Sequence, residues 1–399
     1  MPILFFAEEE GRVVSLADST SPVGAPMLEF LRFDPSACHF PAPAVPVLPG
    51  LRMGDLRLRA AAAWPAHGQH FVRGRYALAA AYAAAGVGAR GALLAPAYHC
   101  RTMLDPALAL GGAVRFYPLQ EDLSPALDAL AARLAAGGVA ALLLTHYFGV
   151  PQAPATLAAV HALCRRHGVA LVEDCAHAWQ VALQRAPLCQ PGSGHYLVAS
   201  PSKFFACADG GLLWGAPPQA LAPRGWLQEA RGWRDAWRRG RPARQPLAAA
   251  APQPCGADVR SSEREPSHQY QAALAASSGL AGSRWIMRHS RLERMARQRG
   301  QHYATWAAQV AGLALARPLW PSLPDGCAPY MFPLLLAEDS RFAALKHAGL
   351  PIWRWDELAS SDCAVAGRYR LRLLHLPCHQ GLEADQLEWM GSQLRRVLA

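Results

Sequence analysis

Lysine is almost missing from this chain. Of 39 basic residues among 399, only Lys203 and Lys346 are lysines; the other 37 are arginines. Chemistry that requires a primary amine therefore has two candidate side chains, because a guanidinium stays protonated and forms no Schiff base. Metal-binding cysteine spacing is absent as well. The ten cysteines contain no C-x2-4-C pair, so a zinc ribbon and a redox CxxC are excluded, and their scatter suits reduced thiols in core elements. No uninterrupted apolar run reaches the roughly 18–20 residues of a membrane span. The opening MPILFFAEEE lacks a basic n-region, so no secretory signal is expected and the chain reads as cytoplasmic. Charged residues make up only 17% against 52% hydrophobic, which excludes a disordered chain and a coiled coil.

The net charge of +10 permits anionic partners. No nucleic-acid motif accompanies the arginines, however, so nucleic acid is not expected as a partner and neither is a membrane. An irregular segment with a Pro-rich run at 41–49 fills the first 70 residues. Then short apolar strands alternate with helices. Helices are expected over 77–85, 102–110, 124–136 (Ser124 as N-cap) and 153–167. Strands are expected over 92–95, 114–117, 140–146, 169–173, 196–200 and 212–214. That alternation predicts an α/β fold, a mostly parallel sheet covered by helices on both faces. The stretch 216–263 breaks the pattern with arginines at 224, 231, 234, 238, 239, 241 and 244, and reads as an exposed helix and loop. Helices over 268–281 and 283–310 lead into a smaller α+β unit, with strands near 331–337, 352–355 and 371–376 and a closing helix over 383–398. The expected division is an extended arm (1–70), a large domain (71–265, with the basic insert at 216–263) and C-terminal helices with the small domain (266–399).

Ligands of a parallel α/β sheet gather beyond the carboxyl ends of its strands. There the sequence places EDCAHA (173–178), SPSK (200–203) and THYFG (145–149), with RGR (73–75) ahead of the first helix. A lysine in a strand-end loop can form a Schiff base when its pKa is lowered, and an Asp at another strand end can pair with a pyridinium nitrogen. A Gly at a helix N-terminus and a nearby Ser supply donors for a phosphate. Together these describe a site for a phosphorylated aldehyde cofactor.

The chain resembles the DegT/StrS nucleotide-sugar aminotransferases, a branch of the fold-type I enzymes that use pyridoxal 5′-phosphate (PLP). The resemblance is carried by GRYAL (74–78), LLAPAYHC (93–100), THYFG (145–149), VEDCAHA (172–178), SPSKFFACADGG (200–211), QAAL (271–274) and LHLPCHQGL (374–382). It implies that Lys203 carries PLP and shuttles the proton, and that Asp174 keeps the ring nitrogen protonated. His177 would lie near the phenolic oxygen, with Gly74 and Arg75 in the phosphate turn. His146 would form part of the site wall, and Arg264 would reach the partner subunit's phosphate. The chain departs from the family at Val198, where a phosphate-binding Ser is usual, so Ser200 is taken for that role. It departs again at Cys100, where a ring-stacking aromatic is usual; Tyr98 or His99 would stack instead. The implied activity is amino transfer from an amino-acid donor, glutamate, to a nucleotide-linked keto-sugar, in a homodimer with its site at the interface. Two rival readings are a degenerate relative that binds PLP or a sugar nucleotide without turnover, and a basic binding module on the same scaffold.

Overall fold

Strand residues that alternate between two apolar faces must be covered on both, and the chain does this with helices on either side of one sheet. The computed structural model describes residues 27–34, 38, 40–61, 67–239 and 258–399. The sequence enters through β1 (Leu28–Phe33) and β2 (Gln69–Phe71), then α1 (Gly74–Ala85), β3 (Ala92–Pro96), α2 (Arg101–Ala109) and β4 (Val114–Tyr117). It continues through α3 (Leu127–Ala135), β5 (Val139–Thr145), α4 (Pro154–His167), β6 (Ala170–Asp174), α5 (Trp179–Arg185), β7 (His195–Ala199) and β8 (Gly211–Trp214). The seven-stranded sheet has the order β2-β8-β7-β6-β5-β3-β4. Its strands are parallel from β4 to β7, while β8 runs against them and β2 pairs antiparallel with β8 at one edge. Leu93, Leu143 and Val172 pack with α1 and α2 on one face, and their sequence neighbours Leu94, Leu142 and Leu171 pack with α3 and α4 on the other.

The remainder comprises α6 (Trp226–Arg238), β9 (Asp258–Glu263), α7 (Ala281–His289), α8 (Leu292–Val310), β10 (Ala316–Pro318), β11 (Met331–Leu336) and α9 (Arg341–His347). It closes with β12 (Glu357–Ala359), α10 (Ala364–Arg372), β13 (Leu373–Pro377) and α11 (Ala384–Leu398). Two three-stranded antiparallel sheets result, β12-β1-β9 and β10-β11-β13. The second packs on α8 and α11 around Trp306, Phe332, Leu374 and Met390. This is the expected architecture, a mostly parallel sheet covered by helices with a smaller α+β unit. Among the described residues no helix is long and apolar enough to cross a membrane. Arg241 and Arg244 lie outside the described residues, as does half of the expected N-terminal arm.

Four local expectations are corrected. Ser124 does not cap α3: its hydroxyl and its N–H both donate to Asp122 Oδ1, at 2.6 and 2.9 Å, and the helix begins at Leu127. The helix expected over 268–281 is a looping segment with a single tight turn at Ala272–Leu274. Distant partners take its N–H groups, the Tyr76 hydroxyl that of Gln271 and His70 O that of Gly279, and Asp105 takes that of Ser267 just before it. The helix expected over 283–310 breaks between α7 and α8, where Ser290 Oγ donates to Ile286 O and Arg291 N–H to Asp55 O. The strand expected at 352–355 makes one bridge, Trp353 with His375, and the sheet pairing falls instead on Glu357–Ala359.

Candidate active site

Lys203 ends a single tight turn, Pro201–Lys203, that follows β7. Two arginines tie this turn to the rest of the molecule. Arg239 donates to Ser202 O (3.0 Å) and Cys207 O (2.8 Å). Arg299, fully buried on α8, donates to Phe204 O (2.9 Å), Pro329 O (3.0 Å) and Gln380 Oε1 (2.8 Å), and its guanidinium lies over the Phe204 ring. Arg299 thus joins the lysine turn to the segment that carries Tyr330, whose ring centroid is 5.7 Å from Lys203 Nζ. Burial lowers the pKa of the Lys203 amine, opposed by Cys100 and Asp174 and reinforced by Arg75.

Asp174 ends β6, buried, and accepts a hydrogen bond from Ala176 N–H at 2.8 Å. Burial raises the pKa of its carboxyl, with Lys203, the Ala176 N–H and His146 pulling the other way. His177 accepts from Phe148 N–H through Nδ1 (3.4 Å), which leaves its proton on Nε2, and burial together with the Lys203 charge holds it well below the usual histidine pKa. Its ring lies against Tyr330, centroids 4.5 Å apart. His146 accepts from Gln152 N–H through Nδ1 and donates from Nε2 to Glu173. These two bonds fix its ring in the wall behind Asp174. His161, Glu173 and His195 offer ligand atoms close together, but Arg185 already bonds Glu173 and His161 there, so a guanidinium fills the place a cation would take.

Gly74 opens α1 directly opposite Ser200. A Cβ at Gly74 would stand 3.2 Å from Ser200 Cβ and 3.3 Å from its Oγ. The helix has no acidic residue in its first turn and no side-chain cap. Arg75 is half-buried, its guanidinium hydrogen-bonded to Gln269 O. Behind this turn Gly211 packs so closely that a Cβ there would lie 2.6 Å from Gly74 N and nearer still to Arg73 O. The structure therefore gathers Lys203, Asp174, His177, Gly74, Arg75 and Ser200 at one end of the sheet.

The remaining candidates divide. Cys100 caps α2, with Sγ 3.1 Å from Thr102 Oγ1, and is an electrostatic neighbour of Lys203. Tyr98 is buried and its hydroxyl meets His375 Nε2 at 3.2 Å. His99 is turned away into the packing: it stacks on Phe116, Nδ1 donates to the carbonyls of Pro96 and Ala97, and Nε2 accepts from Ala359 N–H. Arg264 is exposed just after β9 and meets none of these residues.

Sequence reasoning missed the wall that faces Lys203 from the C-terminal unit: Tyr330, Trp355 and His375. Trp355 lies 5.4 Å from the His177 ring and 5.5 Å from His375. Phe148, buried and held at φ 54, stands between the two histidines, 5.6 Å from His177 and 4.7 Å from His375. A non-glycine residue at positive φ is costly and often marks a functional site. A separate cavity of about 920 Å3 opens elsewhere, lined by residues such as Gln69, His70, Leu221, Arg284 and Trp285 and by none of the groups around Lys203.

The sheet order and the smaller unit define the fold of the fold-type I PLP-dependent aminotransferases. An aminotransferase, TlmJ, from Streptoalloteichus hindustanus superposes with a TM-score of 0.54 at 20% identity, covering 83% of this chain and 85% of that one. The sugar aminotransferase CalS13 from Micromonospora echinospora gives 0.54 at 18% identity, over 82% and 87%. At the level of sequence, residues 66–221 match the DegT/DnrJ/EryC1/StrS aminotransferase family, so the resemblance carried by the motifs is borne out over that span. An L-glutamine:scyllo-inosose aminotransferase from Streptomyces griseus is 31% identical over 144 residues, 35% of this chain. The match spans about a third, 32%, of that relative's length.

Proposed function

We propose that this chain is a PLP-dependent aminotransferase that transfers an amino group from an amino-acid donor, glutamate, to a keto-sugar or keto-cyclitol. The observation that carries this reading is the pairing of a buried amine whose pKa is lowered, Lys203, with a buried carboxyl whose pKa is raised, Asp174, at adjacent strand ends.

The residues fit PLP. Asp174, with its pKa raised by burial, is an acceptor suited to a cationic ring nitrogen. The Gly74–Ser200 approach leaves a cradle that a Cβ would fill, and the uncapped start of α1 with Arg75 beside it suits a phosphate dianion. Lys203 would hold the group covalently, His177 would offer it the Nε2–H donor, and Tyr98 would stand in the aromatic wall rather than stack. When bound, PLP supplies an electron sink that eases loss of a proton from the substrate carbon. Lys203 Nζ, its proton affinity lowered by burial, accepts and returns that proton at the reacting carbon. Tyr330 screens one side of the amine from water. Cys100 leaves a small thiol where an aromatic is usual in the family.

The finer parts of the proposal are a homodimeric cytoplasmic enzyme and a nucleotide-linked acceptor; for the acceptor, the exposed arginines of α6 offer a face suited to a diphosphate. The test is spectroscopic. Purified chain incubated with PLP should develop a visible band that borohydride bleaches, with the added mass on the peptide containing Lys203. Lys203→Ala should show neither signal. Glutamate should then convert the band to that of the pyridoxamine form. No band at any PLP concentration refutes the proposal, and a band that glutamate leaves unchanged supports binding without turnover.

A further inference from the structure

His375 is fully buried in β13, and its Nδ1 has no hydrogen-bond partner. Buried polar atoms are normally paired, so an orphan of this kind calls for a reason. Its other nitrogen, Nε2, lies 3.2 Å from the Tyr98 hydroxyl. Two arrangements satisfy that distance. If Nε2–H donated to Tyr98, the Tyr98 proton and the Nδ1 lone pair would both be left without partners. If Tyr98 donates to Nε2, the imidazole proton sits on Nδ1 and only that one group is unpaired. The second arrangement strands fewer groups, and burial keeps the ring neutral, with its pKa lowered to about 3.

The position of the ring indicates what the free N–H is for. The groups that fit PLP all come from the carboxyl ends of the large sheet and the start of α1. His375 comes from the C-terminal unit, between Phe148 and Trp355, and the Lys203 charge reaches it. Its ring neighbours, Phe148 and Trp355, also contact His177, so His375 belongs to the same wall as a group that fits the cofactor.

We infer that His375, oriented by Tyr98, is a specificity-determining residue whose Nδ1–H donates to a hydroxyl oxygen of a polyhydroxylated ring bound over Lys203. Resting on the aminotransferase reading above, the inference adds how the acceptor is selected. A ketone without ring hydroxyls leaves this donor buried and unpaired, and sites with stranded donors discriminate strongly against such analogues. Tyr98 is the positioning residue: without its hydroxyl, the proton has no reason to stay on Nδ1.

The experiment uses the full chain. Nitrogen-15 NMR of the imidazoles should show the His375 proton on Nδ1 in the wild type and redistributed between the nitrogens in Tyr98→Phe. A proton on Nε2 in the wild type overturns the inference. The pyridoxamine form is then reacted with scyllo-inosose and with cyclohexanone, the same ring without hydroxyls. The wild type should prefer the hydroxylated ketone. His375→Phe should lower the ratio of the two kcat/KM values by about ten- to hundredfold, the range expected for one lost hydrogen bond in a dry site. His375→Asn, whose amide N–H falls near the position of Nδ1, should recover part of that ratio. An equal loss on both ketones, or no wild-type preference, overturns the inference while leaving the aminotransferase reading intact. Failure of borohydride to fix PLP on Lys203 instead removes that reading, and the inference with it.

Discussion

Gly211→Ala should weaken cofactor binding from behind the phosphate cradle, by pressing on the backbone of the Arg73–Gly74 turn. Gly211 begins β8 where that strand crosses behind the Arg73–Gly74 turn, and the new methyl would lie 2.6 Å from Gly74 N. Ordinary contact for such atoms is about 3.5 Å, so the two backbones must separate by roughly 1 Å. Neither side yields easily. Arg73 O accepts the first hydrogen bonds of α1 from Tyr76 and Ala77, and Arg73 forms a bridge with Gly210. Forced repacking of this kind costs about 1–3 kcal/mol. Because Gly74 faces Ser200 at van der Waals distance, the displacement opens the phosphate cradle, and the same strain should appear as about a tenfold or greater rise in the PLP dissociation constant. Fluorescence titration with PLP and urea denaturation of the chain without cofactor measure the two effects separately. Gly300→Ala is the control. Gly300 lies inside α8 with nothing within 4 Å of its missing Cβ, so the change should stabilise the protein by up to about 1 kcal/mol and leave PLP affinity unchanged. If Gly211→Ala is destabilised yet binds PLP like the wild type, the cradle does not depend on this packing and the reasoning fails.

Two further perturbations address stability. Arg299→Met strands the carbonyls of Phe204 and Pro329 and the Gln380 amide oxygen, and should cost roughly 3 kcal/mol or more in urea denaturation while loosening the lysine turn; an unchanged midpoint would show that the clamp is idle. Burial lowers the pKa of His99 to about 4 and those of His375 and His379 to about 3, so the unfolded chain binds more protons than the folded one below its own histidine pKa near 6.5. Stability should therefore be full above pH 7 and fall as the pH drops from about 6.5 to 4.5, before most carboxylates titrate; a flat urea midpoint across that window counts against neutral buried rings.

The strand-end motifs could be found in sequence because a parallel sheet brings the ends of its strands together whatever the rest of the chain does. Lys203, Asp174, His177 and Gly74 follow from that rule. His375, Tyr330 and Trp355 do not, because their approach depends on how a second sheet packs against the first. Arg299 left no signal either, since in α8 it is one arginine among several (RLERMARQR) and only its tertiary partners distinguish it. Ser124 and the 268–281 segment misled for a related reason. Local propensity favoured helix, but Asp122 captured one hydroxyl and Tyr76 and His70 captured N–H groups of the other. His99 and Tyr98 are adjacent in sequence and equally aromatic. Phe116 and the backbone of β12 absorb the first, and only the second reaches the wall around Lys203.

Glu173 and Asp174 show how the fold assigns different work to neighbours that look equivalent in sequence. Both are carboxylates at the end of β6, both are buried, and the strand turns them to opposite faces. Burial works against the charge of Glu173, yet hydrogen bonds from His146, His161, His195 and Arg185 hold its carboxyl well below the usual range. That carboxylate is saturated, and a ligand would gain nothing from it. Asp174 has Ala176 N–H and the nearby Lys203 charge, and burial still raises its pKa. It is therefore the carboxyl whose environment favours acquiring a cationic partner. The saturated neighbour also contributes, because Glu173 fixes the His146 ring through Nε2 while His146 N–H donates to Asp174 O at 3.0 Å. A closed ion network thus holds the strand end on which the open carboxyl waits, and the difference in satisfaction between the two is the physical basis for choosing Asp174 over Glu173 as the ligand-facing acid.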